Sequence, residues 1–438
     1  MIPPETFSRY AAMRVPRYTS YPSAPNFVPA SGDSTHRQWL QAVSGAEPVS
    51  VYLHVPFCRQ MCWYCGCHTT VANRTAPVDL YVRHLLKEIR VVSGAMRDRL
   101  TIAHLHWGGG TPTLLMTDAI RTLDRRLRRC FDVPVDAEIG LEVDPRSLTD
   151  EVAAAFAGTG VNRVSIGVQT FDPVVQKAIN RVQPFEQTAA CVTRFRRLGI
   201  RGVNFDLIYG LPHQTVASCV ETVQRALELR PDRLAVFGYA HVPSFKPHQR
   251  KIDEDLLPSP AARFEQSQAI GETLIAAGYQ QIGLDHFATP DDALARAARA
   301  GSLHRNFQGY TTDNCSTLIG FGASAISRLP AGFAQNTTRI ADYQRTLETA
   351  CLPTARLCPV GADDARRARI IEQLMCNYRA DVGSFLSVGL AQLEHDGLVR
   401  QKGSIVEVEP DARPLVRAVA AAFDTYLPQT AARHVGAV

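Results

Sequence analysis

Apolar and polar residues follow each other along the chain in short runs that predict β-strands, separated by longer runs with helical spacing. Six strand-like runs lie between residues 50 and 239, namely Ser50–Val55, Ile102–Trp107, Ala137–Val143, Asn162–Val168, Gly202–Ile208 and Arg233–Tyr239. The helical patterns between them are Val78–Ala95, Asp118–Phe131, Glu151–Phe156, Glu186–Leu198 and Val216–Leu229. Such alternation predicts parallel strands joined by right-handed crossovers. We therefore expect an α/β protein built on a partial (β/α)6 barrel of the TIM type.

The regular alternation ends in the second half of the chain. A helical pattern at Pro260–Ala277 precedes a seventh strand-like run at Tyr279–Leu284. Beyond about residue 350 helical patterns dominate, apart from a turn-and-strand piece at Leu398–Val408. We expect an N-terminal arm at 1–45, the barrel with an extension at 46–350, and a mostly helical C-terminal domain at 351–438.

Unusual residues follow the predicted strands at the ends where parallel α/β proteins carry their chemistry. These strand ends are the cysteine segment 58–67, Gly108–Pro112, Glu142–Pro145, Gln169, Asp206 with Tyr209–Pro212, and Tyr239–Pro243. Taken singly, Glu142 and Asp206 are also explained as helix caps, and Tyr52 as a core residue. Six such ends at one rim predict a functional site.

Composition narrows the functional classes. The chain has 438 residues, a net charge of +5, 45% hydrophobic and 20% charged residues, and no segment as apolar as a membrane span. This mild charge gives no case for nucleic acid, but it suits a small anionic substrate. The first residues show neither the basic nor the apolar region of a signal peptide, so we expect a cytoplasmic protein.

The cysteines point to metal chemistry. Four of the eleven fall within ten residues: Cys58, Cys62, Cys65 and Cys67. The spacing Cys-x3-Cys-x2-Cys can place three thiolates on three corners of a 4Fe–4S cluster. One iron then stays open to the amino and carboxylate groups of S-adenosylmethionine (SAM). Zinc is the alternative, with Cys67 as fourth ligand, although structural zinc sites favour two separated Cys-x2-Cys pairs.

The cysteine spacing after the first strand and the glycine-rich loop after the second resemble the radical SAM enzymes. Longer stretches resemble one family among them, the oxygen-independent coproporphyrinogen III oxidases, from about residue 7 to residue 428. They are Arg17–Pro22, His106–Thr113, Asp206–Pro212, Asp285–Ala288, His304–Thr311 and Phe423–Leu427.

This resemblance implies roles for individual residues. It assigns the cluster to Cys58, Cys62 and Cys65. It assigns the SAM on the open iron to Tyr52, Gly109, Glu142 and Ile326, where a glycine lets the main chain approach the methionine group closely. It assigns a second SAM to Tyr64, Gly110, Thr111, Gln169, Arg181, Asp206 and Ala240. Tyr64 stands where phenylalanine is expected. Tyr52 and Cys67 are the catalytic candidates, and Cys67 favours the oxidases over related haem-trafficking proteins, which usually have phenylalanine there.

The resemblance also implies a reaction. A 5′-deoxyadenosyl radical takes hydrogen from the β-carbon of a substrate propionate, which then loses carbon dioxide and one electron and becomes a vinyl group. Two propionates of coproporphyrinogen III react, giving protoporphyrinogen IX for haem biosynthesis. Candidates for binding the substrate carboxylates are Arg17, Lys246, Arg250 and Arg305. We expect a one-electron donor of the flavodoxin type and a monomer. The alternatives are a haem-trafficking protein that keeps the cluster and a SAM-dependent methyltransferase.

Overall fold

The computed structural model describes residues 2–385, 388–427 and 435–437. Its helices are α1 Pro4–Ala11, α2 Ser34–Gln41, α3 Thr75–Ala95, α4 Thr117–Cys130, α5 Asp150–Ala157, α6 Pro173–Ala178, α7 Phe185–Arg197, α8 Val216–Glu228, α9 Pro260–Ala276, α10 Ala293–Ala300, α11 Ile340–Glu348, α12 Ala362–Asn377, α13 Val388–His395 and α14 Val416–Ala421. Its strands are β1 Arg14–Val15, β2 Val28–Pro29, β3 Val49–Val55, β4 Phe57–Cys58, β5 Thr70–Val71, β6 Ile102–Gly109, β7 Glu138–Val143, β8 Arg163–Gln169, β9 Gly202–Tyr209, β10 Arg233–Gly238, β11 Gln280–Ile282, β12 His286–Ala288, β13 His304–Asn306, β14 Gly309–Thr311, β15 Leu318–Phe321, β16 Ile326–Leu329, β17 Gly332–Asn336, β18 Thr354–Pro359, β19 Arg379–Asp381, β20 Val399–Lys402, β21 Ile405–Val408 and β22 Val435–Gly436.

The chain forms two compact units whose bounds differ from the predicted domains. One unit comprises 28–270 and 315–359, and the other comprises 1–27, 271–314 and 360–438. The predicted boundaries at 45/46 and 350/351 therefore do not coincide with the division in space. Helix–strand patterns show which elements form, but they do not show which distant segments share a core.

The predicted parallel sheet is confirmed in the unit 28–270 and 315–359. Its strands lie in the order β10-β9-β8-β7-β6-β3, and each neighbouring pair is parallel. The sheet continues beyond β3 as β15-β16-β17-β18-β2, with β15 parallel to β3 and the later pairs antiparallel. Apolar side chains of these strands, among them Leu53, Trp107 and Phe205, are fully buried and form the core beneath the helices.

The other unit has its own apolar core. Tyr18 and Tyr21 from the N-terminal segment pack with Leu374 of α12 and Phe423. The strand-like run at Tyr279–Leu284 becomes β11, which pairs antiparallel with β12 and adds no seventh parallel unit.

The predicted piece at Leu398–Val408 forms β20 and β21, which pair in a three-stranded sheet with β19. Across the described ranges, no helix combines the length and the apolar character that crossing a bilayer demands.

A buried carboxyl group joins α3 to the sheet extension. Glu88 is 1% exposed. It accepts hydrogen bonds from the main-chain N–H of Gly322 and the hydroxyl of Tyr343, both at 2.7 Å, and from the amide of Asn336. Burial raises the pKa of Glu88 to about 7, although these hydrogen bonds oppose the shift.

The raised pKa of Glu88 predicts a pH dependence of stability. The folded protein keeps a proton that the unfolded chain releases near pH 4.5, so this stabilisation is complete below that pH and is lost as the pH rises to about 7. The shift corresponds to about 3 kcal/mol. Urea unfolding of the unaltered protein and of Glu88→Gln gives the difference between their free energies of unfolding. The advantage of the unaltered protein should fall by about this amount between pH 4.5 and 7.5. A constant difference would contradict the protonated state.

Candidate functional site

A short loop after β3 carries the four clustered cysteines, and its base is fixed by main-chain hydrogen bonds. Strand β4, which ends at Cys58, pairs in parallel with β5. Thr70 N–H donates to the carbonyl of Pro56 at 2.8 Å, and Ala72 N–H donates to that of Cys58 at 2.9 Å. Within the loop, Cys65 N–H donates to the carbonyl of Cys62 at 3.1 Å. The chain thereby folds back on itself and keeps its thiols on one compact segment.

Hydrogen-bond donors surround the sulfur atoms of the first two cysteines. The hydroxyl of Thr69 donates to Cys58 Sγ at 3.2 Å, and Thr111 Oγ1 lies 3.4 Å from the same sulfur. Guanidinium groups approach Cys62 Sγ, with Arg146 Nη2 at 3.4 Å and Arg181 Nη1 at 3.6 Å. Burial raises the pKa of the Cys58 thiol, although the hydrogen bonds from Thr111 and Thr69 oppose the shift.

The third cysteine interacts with the fourth. A hydrogen bond with the Cys67 side chain lowers the pKa of Cys65 to about 7, although burial opposes the shift. The same interaction raises the pKa of Cys67. Cys67 itself is exposed. Cys65 is therefore the member of this pair that ionises first.

One largely buried carboxylate, that of Asp144 after β7, links the two guanidinium groups at Cys62; its side chain is 13% exposed. Its Oδ2 lies 2.7 Å from Arg146 Nη2 and 3.4 Å from Arg181 Nη1. Burial alone would raise the pKa of Asp144, but the charges of Arg181 and Arg146 outweigh it and lower the pKa to about 2. Arg181 also donates to the carbonyl of Gly167 at 2.7 Å. Its buried Nε has no hydrogen-bond partner among the described residues.

A second acidic group lies at the ends of β6 and β7. Glu142 Oε2 accepts the main-chain N–H of Gly109 at 3.0 Å, and its Oε1 lies 3.2 Å from His106 Nε2. The His106 ring stacks on Tyr52, with centroids 6.0 Å apart, and the Tyr52 hydroxyl lies 3.0 Å from His54 Nδ1. Glu142 therefore orders the glycine loop and does not cap a helix.

The remaining strand ends complete the same rim. Gln169, at a register shift in β8, is nearly buried and has a φ of 67°. Asp206 on β9 accepts from Ser165 at 3.2 Å, and burial together with the charge of Glu142 raises its pKa to about 7. The carbonyls of Tyr64 and of Ala240, which follows β10, accept from one Gln249 amide at 3.0 and 3.2 Å.

Similarity to known proteins identifies the family. A family model described as the Radical SAM superfamily matches residues 52–226. The oxygen-independent coproporphyrinogen III oxidase of Bradyrhizobium diazoefficiens is 50% identical over 98% of both chains. The chain belongs to the oxygen-independent coproporphyrinogen III oxidase family. The Pseudomonas aeruginosa member is 41% identical over 94% of each chain. The solved coproporphyrinogen III oxidase of Escherichia coli, a radical SAM enzyme, superposes with a TM-score of 0.89 at 40% identity, covering 94% of this chain and 98% of its own.

Radical SAM membership implies a 4Fe–4S cluster and SAM, and the residues present fit both groups. Three thiols lie on one anchored loop, and hydroxyl, guanidinium or thiol donors contact each of them. In the described part of the chain, no three His, Cys, Asp or Glu side chains converge closely enough for a single metal ion. A cubane cluster instead takes its ligands at separate corners. The family membership thus favours the cluster over zinc.

Most of the residues to which the family resemblance assigned a role lie together at one edge of the sheet. Gln169 and Arg181 are 9% and 6% exposed, so neither is an ordinary surface group. Ile326 is placed differently, because it begins β16 in the extension beyond β3. It approaches the site through Gly320, whose neighbour in the parallel register is Tyr52. A side chain on Gly320 would meet the main chain of Ile326 at 2.6 Å.

Several contacts of the site were not predicted from the sequence. Asp144 lies at a predicted strand end, yet nothing local indicated that it holds two arginines. Gln249 carried no signal at all. Lys246, a candidate for binding a substrate carboxylate, also donates to the carbonyl of Cys67 at 3.0 Å. Arg305 is 8% exposed and lies over the Tyr310 ring at 4.3 Å, in the unit of residues 271–314.

The structure requires glycine at the end of β6 and in the loop that follows, for a reason that the sequence did not reveal. Gly109 has a φ of 122°, and a Cβ there would lie 2.8 Å from the carbonyl oxygen of Val55. A Cβ on Gly110 would lie 2.7 Å from the carbonyl oxygen of Phe57. The loop therefore packs directly on the main chain that leads into the cysteines.

Gly109→Ala should damage the site more than the fold. The strain of a positive φ costs about 1–3 kcal/mol, and relieving it moves the N–H that Glu142 accepts. We expect kcat/KM to fall roughly 100-fold, as misplacements of about 1 Å can do. Anaerobic turnover and SAM titration measure the effect. Gly94→Ala, in α3 with nothing near its Cβ, is the control. Unchanged SAM affinity in Gly109→Ala would contradict this account.

Proposed function

We propose that this chain catalyses the oxygen-independent oxidative decarboxylation of coproporphyrinogen III. Two propionate side chains become vinyl groups, giving protoporphyrinogen IX in haem biosynthesis. The observation that carries the proposal is the 50% identity to an oxidase over 98% of both chains. The cysteine loop that begins directly after β3 supports it.

We propose Cys58, Cys62 and Cys65 as the cluster ligands. When bound, the cluster and SAM supply the 5′-deoxyadenosyl radical that takes a hydrogen from the substrate propionate. The chain's contribution is to hold the three cysteines in place, with donors from Thr69, Arg146 and Arg181 aimed at the sulfur atoms of Cys58 and Cys62. Such outer contacts orient ligands and tune a metal centre.

The SAM on the open iron is assigned to Tyr52, Gly109, Glu142 and Ile326. Glu142 supports this assignment because its position is fixed before any ligand binds, by Gly109 N–H and by His106. A carboxylate held this way can accept from the two ribose hydroxyls. Tyr52 and Cys67 are the proposed catalytic residues, and the exposed Cys67 thiol sits beside a cluster ligand.

A second SAM is assigned to Tyr64, Gly110, Thr111, Gln169, Arg181, Asp206 and Ala240. These residues come from the cysteine loop, from β6, β8, β9 and β10 or the loops that follow them, and, for Arg181, from the segment after α6. Gln249 links two of them, because its amide donates to the carbonyls of Tyr64 and Ala240. Arg181 supports the site because one of its buried donors has no partner in the described chain. It can therefore serve a bound carboxylate without giving up Asp144.

The proposed partners follow from the reaction. The substrate is coproporphyrinogen III, and a one-electron donor of the flavodoxin type reduces the cluster. The working form is a cytoplasmic monomer. The proposed candidates for the substrate carboxylates are Arg17, Lys246, Arg250 and Arg305. Arg305 donates to the carbonyl of Arg17 at 3.4 Å.

An anaerobic assay with SAM, a reductant and coproporphyrinogen III tests this function. We expect coproporphyrinogen to disappear as protoporphyrinogen IX forms, with two molecules of SAM consumed per product. Titrating SAM against the reconstituted, unreduced protein should give two bound molecules per cluster. Stoichiometric haem binding without turnover would overturn the proposal in favour of haem trafficking, and transfer of a SAM methyl group would favour a methyltransferase.

A further inference from the structure

A short turn after β10 lies against the cysteine loop. The 3₁₀ turn Pro247–Lys251 follows Lys246 in the chain. Lys246 Nζ donates to the carbonyl of Cys67 at 3.0 Å, and His248 Nε2 donates to that of Cys65 at 2.7 Å. Gln249 Nε2 donates to the carbonyl of Tyr64 at 3.0 Å. Three side chains of one segment thus bind three carbonyls of the loop, and we call Lys246, His248 and Gln249 the carbonyl clasp.

The clasp is fixed to the parallel sheet through its buried member. Gln249 is 1% exposed. Its Nε2 also donates to the carbonyl of Ala240 at 3.2 Å, and its Oε1 accepts from Val242 N–H at 2.6 Å. Both residues follow directly after β10. The amide therefore joins the end of this strand to the loop through fully used hydrogen bonds, which is the arrangement that a buried amide requires.

The other parts of the loop are held by different elements. Asn180 Nδ2 donates to the carbonyl of Met61 at 2.8 Å, and Trp63 N–H donates to that of Ile179 at 3.0 Å. The β4–β5 pair fixes Cys58. The clasp binds the segment from Tyr64 to Cys67 from outside the loop, in addition to the hydrogen bond from Cys65 N–H to the carbonyl of Cys62. None of these hydrogen bonds uses a cysteine sulfur, so they hold the main chain and leave the thiols available.

We propose that the carbonyl clasp consists of positioning residues that hold the cysteine loop in its ligand-bearing conformation before the cluster is assembled. Ordering a free loop costs conformational entropy at every residue. When the loop is already ordered, cluster binding does not have to meet that cost. The clasp also makes the geometry of Cys65 depend on the end of β10. This inference rests on the proposed assignment of Cys58, Cys62 and Cys65 as ligands.

Two variants remove single clasp bonds from side chains that are not buried. His248→Leu removes the donor to Cys65, and Lys246→Met removes the donor to Cys67. His248→Gln keeps an N–H donor of similar reach and should restore the bond. Asp255→Asn, an exposed position in the turn that follows, is the matched control. Circular dichroism of each variant verifies the fold.

Amide hydrogen exchange of the iron-free, reduced full chain provides the first measurement. We expect exchange across residues 62–68 to rise about five- to tenfold in His248→Leu and in Lys246→Met, the range expected for one lost hydrogen bond. It should be restored in His248→Gln and unchanged in Asp255→Asn. After reconstitution, the rate of iron loss to a chelator should rank the variants in the same order.

Unchanged exchange in both His248→Leu and Lys246→Met would overturn the clasp, whatever the iron content. If His248→Gln exchanged as fast as His248→Leu, the clasp would also be overturned. The imidazole ring, and not its hydrogen bond, would then hold the loop. Failure of the unaltered protein to bind iron would overturn the ligand assignment instead. Exchange on the iron-free chain would still decide the clasp, so the two failures are distinguishable.

Discussion

Cys62→Ser should abolish both cluster assembly and turnover. Cys62 is 7% exposed, and its sulfur lies within 3.6 Å of two guanidinium groups. Serine keeps the size of the side chain but removes the soft thiolate that an iron–sulfur cluster requires. We expect bound iron to fall from about four atoms per chain to less than about one. Turnover should fall by more than the roughly 10–100-fold that loss of an outer contact causes.

Iron and sulfide analysis after anaerobic reconstitution checks the result, together with the visible absorbance of the cluster. Cys351→Ser is the matched control, because Cys351 is exposed and lies in the segment before β18. It should retain iron and turnover. A Cys62→Ser protein with a full complement of iron and normal turnover would contradict the assignment.

Arg181→Met should cost about 3 kcal/mol of stability, at the lower end of the range for removing one partner of a buried ion pair. Asp144 would keep only Arg146, and Gly167 would lose a donor at 2.7 Å. The low pKa of Asp144 means that its pairing stabilises the fold above about pH 4, and that this stabilisation is lost as the pH falls to about 2. The stability loss in Arg181→Met should therefore be largest near neutral pH.

Urea unfolding of the iron-free chain measures this loss, and SAM titration of the reconstituted protein measures the second site. We expect bound SAM to fall from two molecules per cluster to one. The double variant Arg181→Met/Asp144→Asn should recover part of the stability without recovering the second SAM. Arg121→Gln, which breaks an exposed pair with Asp118, should change stability by less than about 1 kcal/mol. Two SAM molecules bound by Arg181→Met would contradict the proposed second site.

The parallel half of the fold could be predicted because each strand has its own local pattern. Buried residues in β3, β6 and β9 form apolar runs bounded by turns, so their limits were correct within about two residues. The extension β15–β18 could not be predicted from such patterns. Its strands are four to six residues long, and β15 is a strand because it pairs with β3, more than 260 positions away.

The site residues also divide into those that the sequence indicates and those that it does not. The cysteine spacing and Glu142 were readable because chemistry restricts which residues can serve there. The clasp was not readable, because a glutamine or histidine in a surface turn has no distinctive local signal. Its role depends on the carbonyls that it contacts across 183 to 185 positions of sequence. The same holds for Lys246, because its charge alone does not indicate that it contacts the carbonyl of Cys67.

We expect this chain to use its cysteine loop and SAM to remove hydrogen from the propionates of coproporphyrinogen III. The most direct test is anaerobic turnover of coproporphyrinogen III deuterated at the propionate β-carbons, with mass analysis of the 5′-deoxyadenosine formed. We expect one deuterium in each 5′-deoxyadenosine and two such molecules per protoporphyrinogen IX. The Cys62→Ser protein should form neither product. Formation of 5′-deoxyadenosine without deuterium, or of protoporphyrinogen IX by Cys62→Ser, would contradict this expectation.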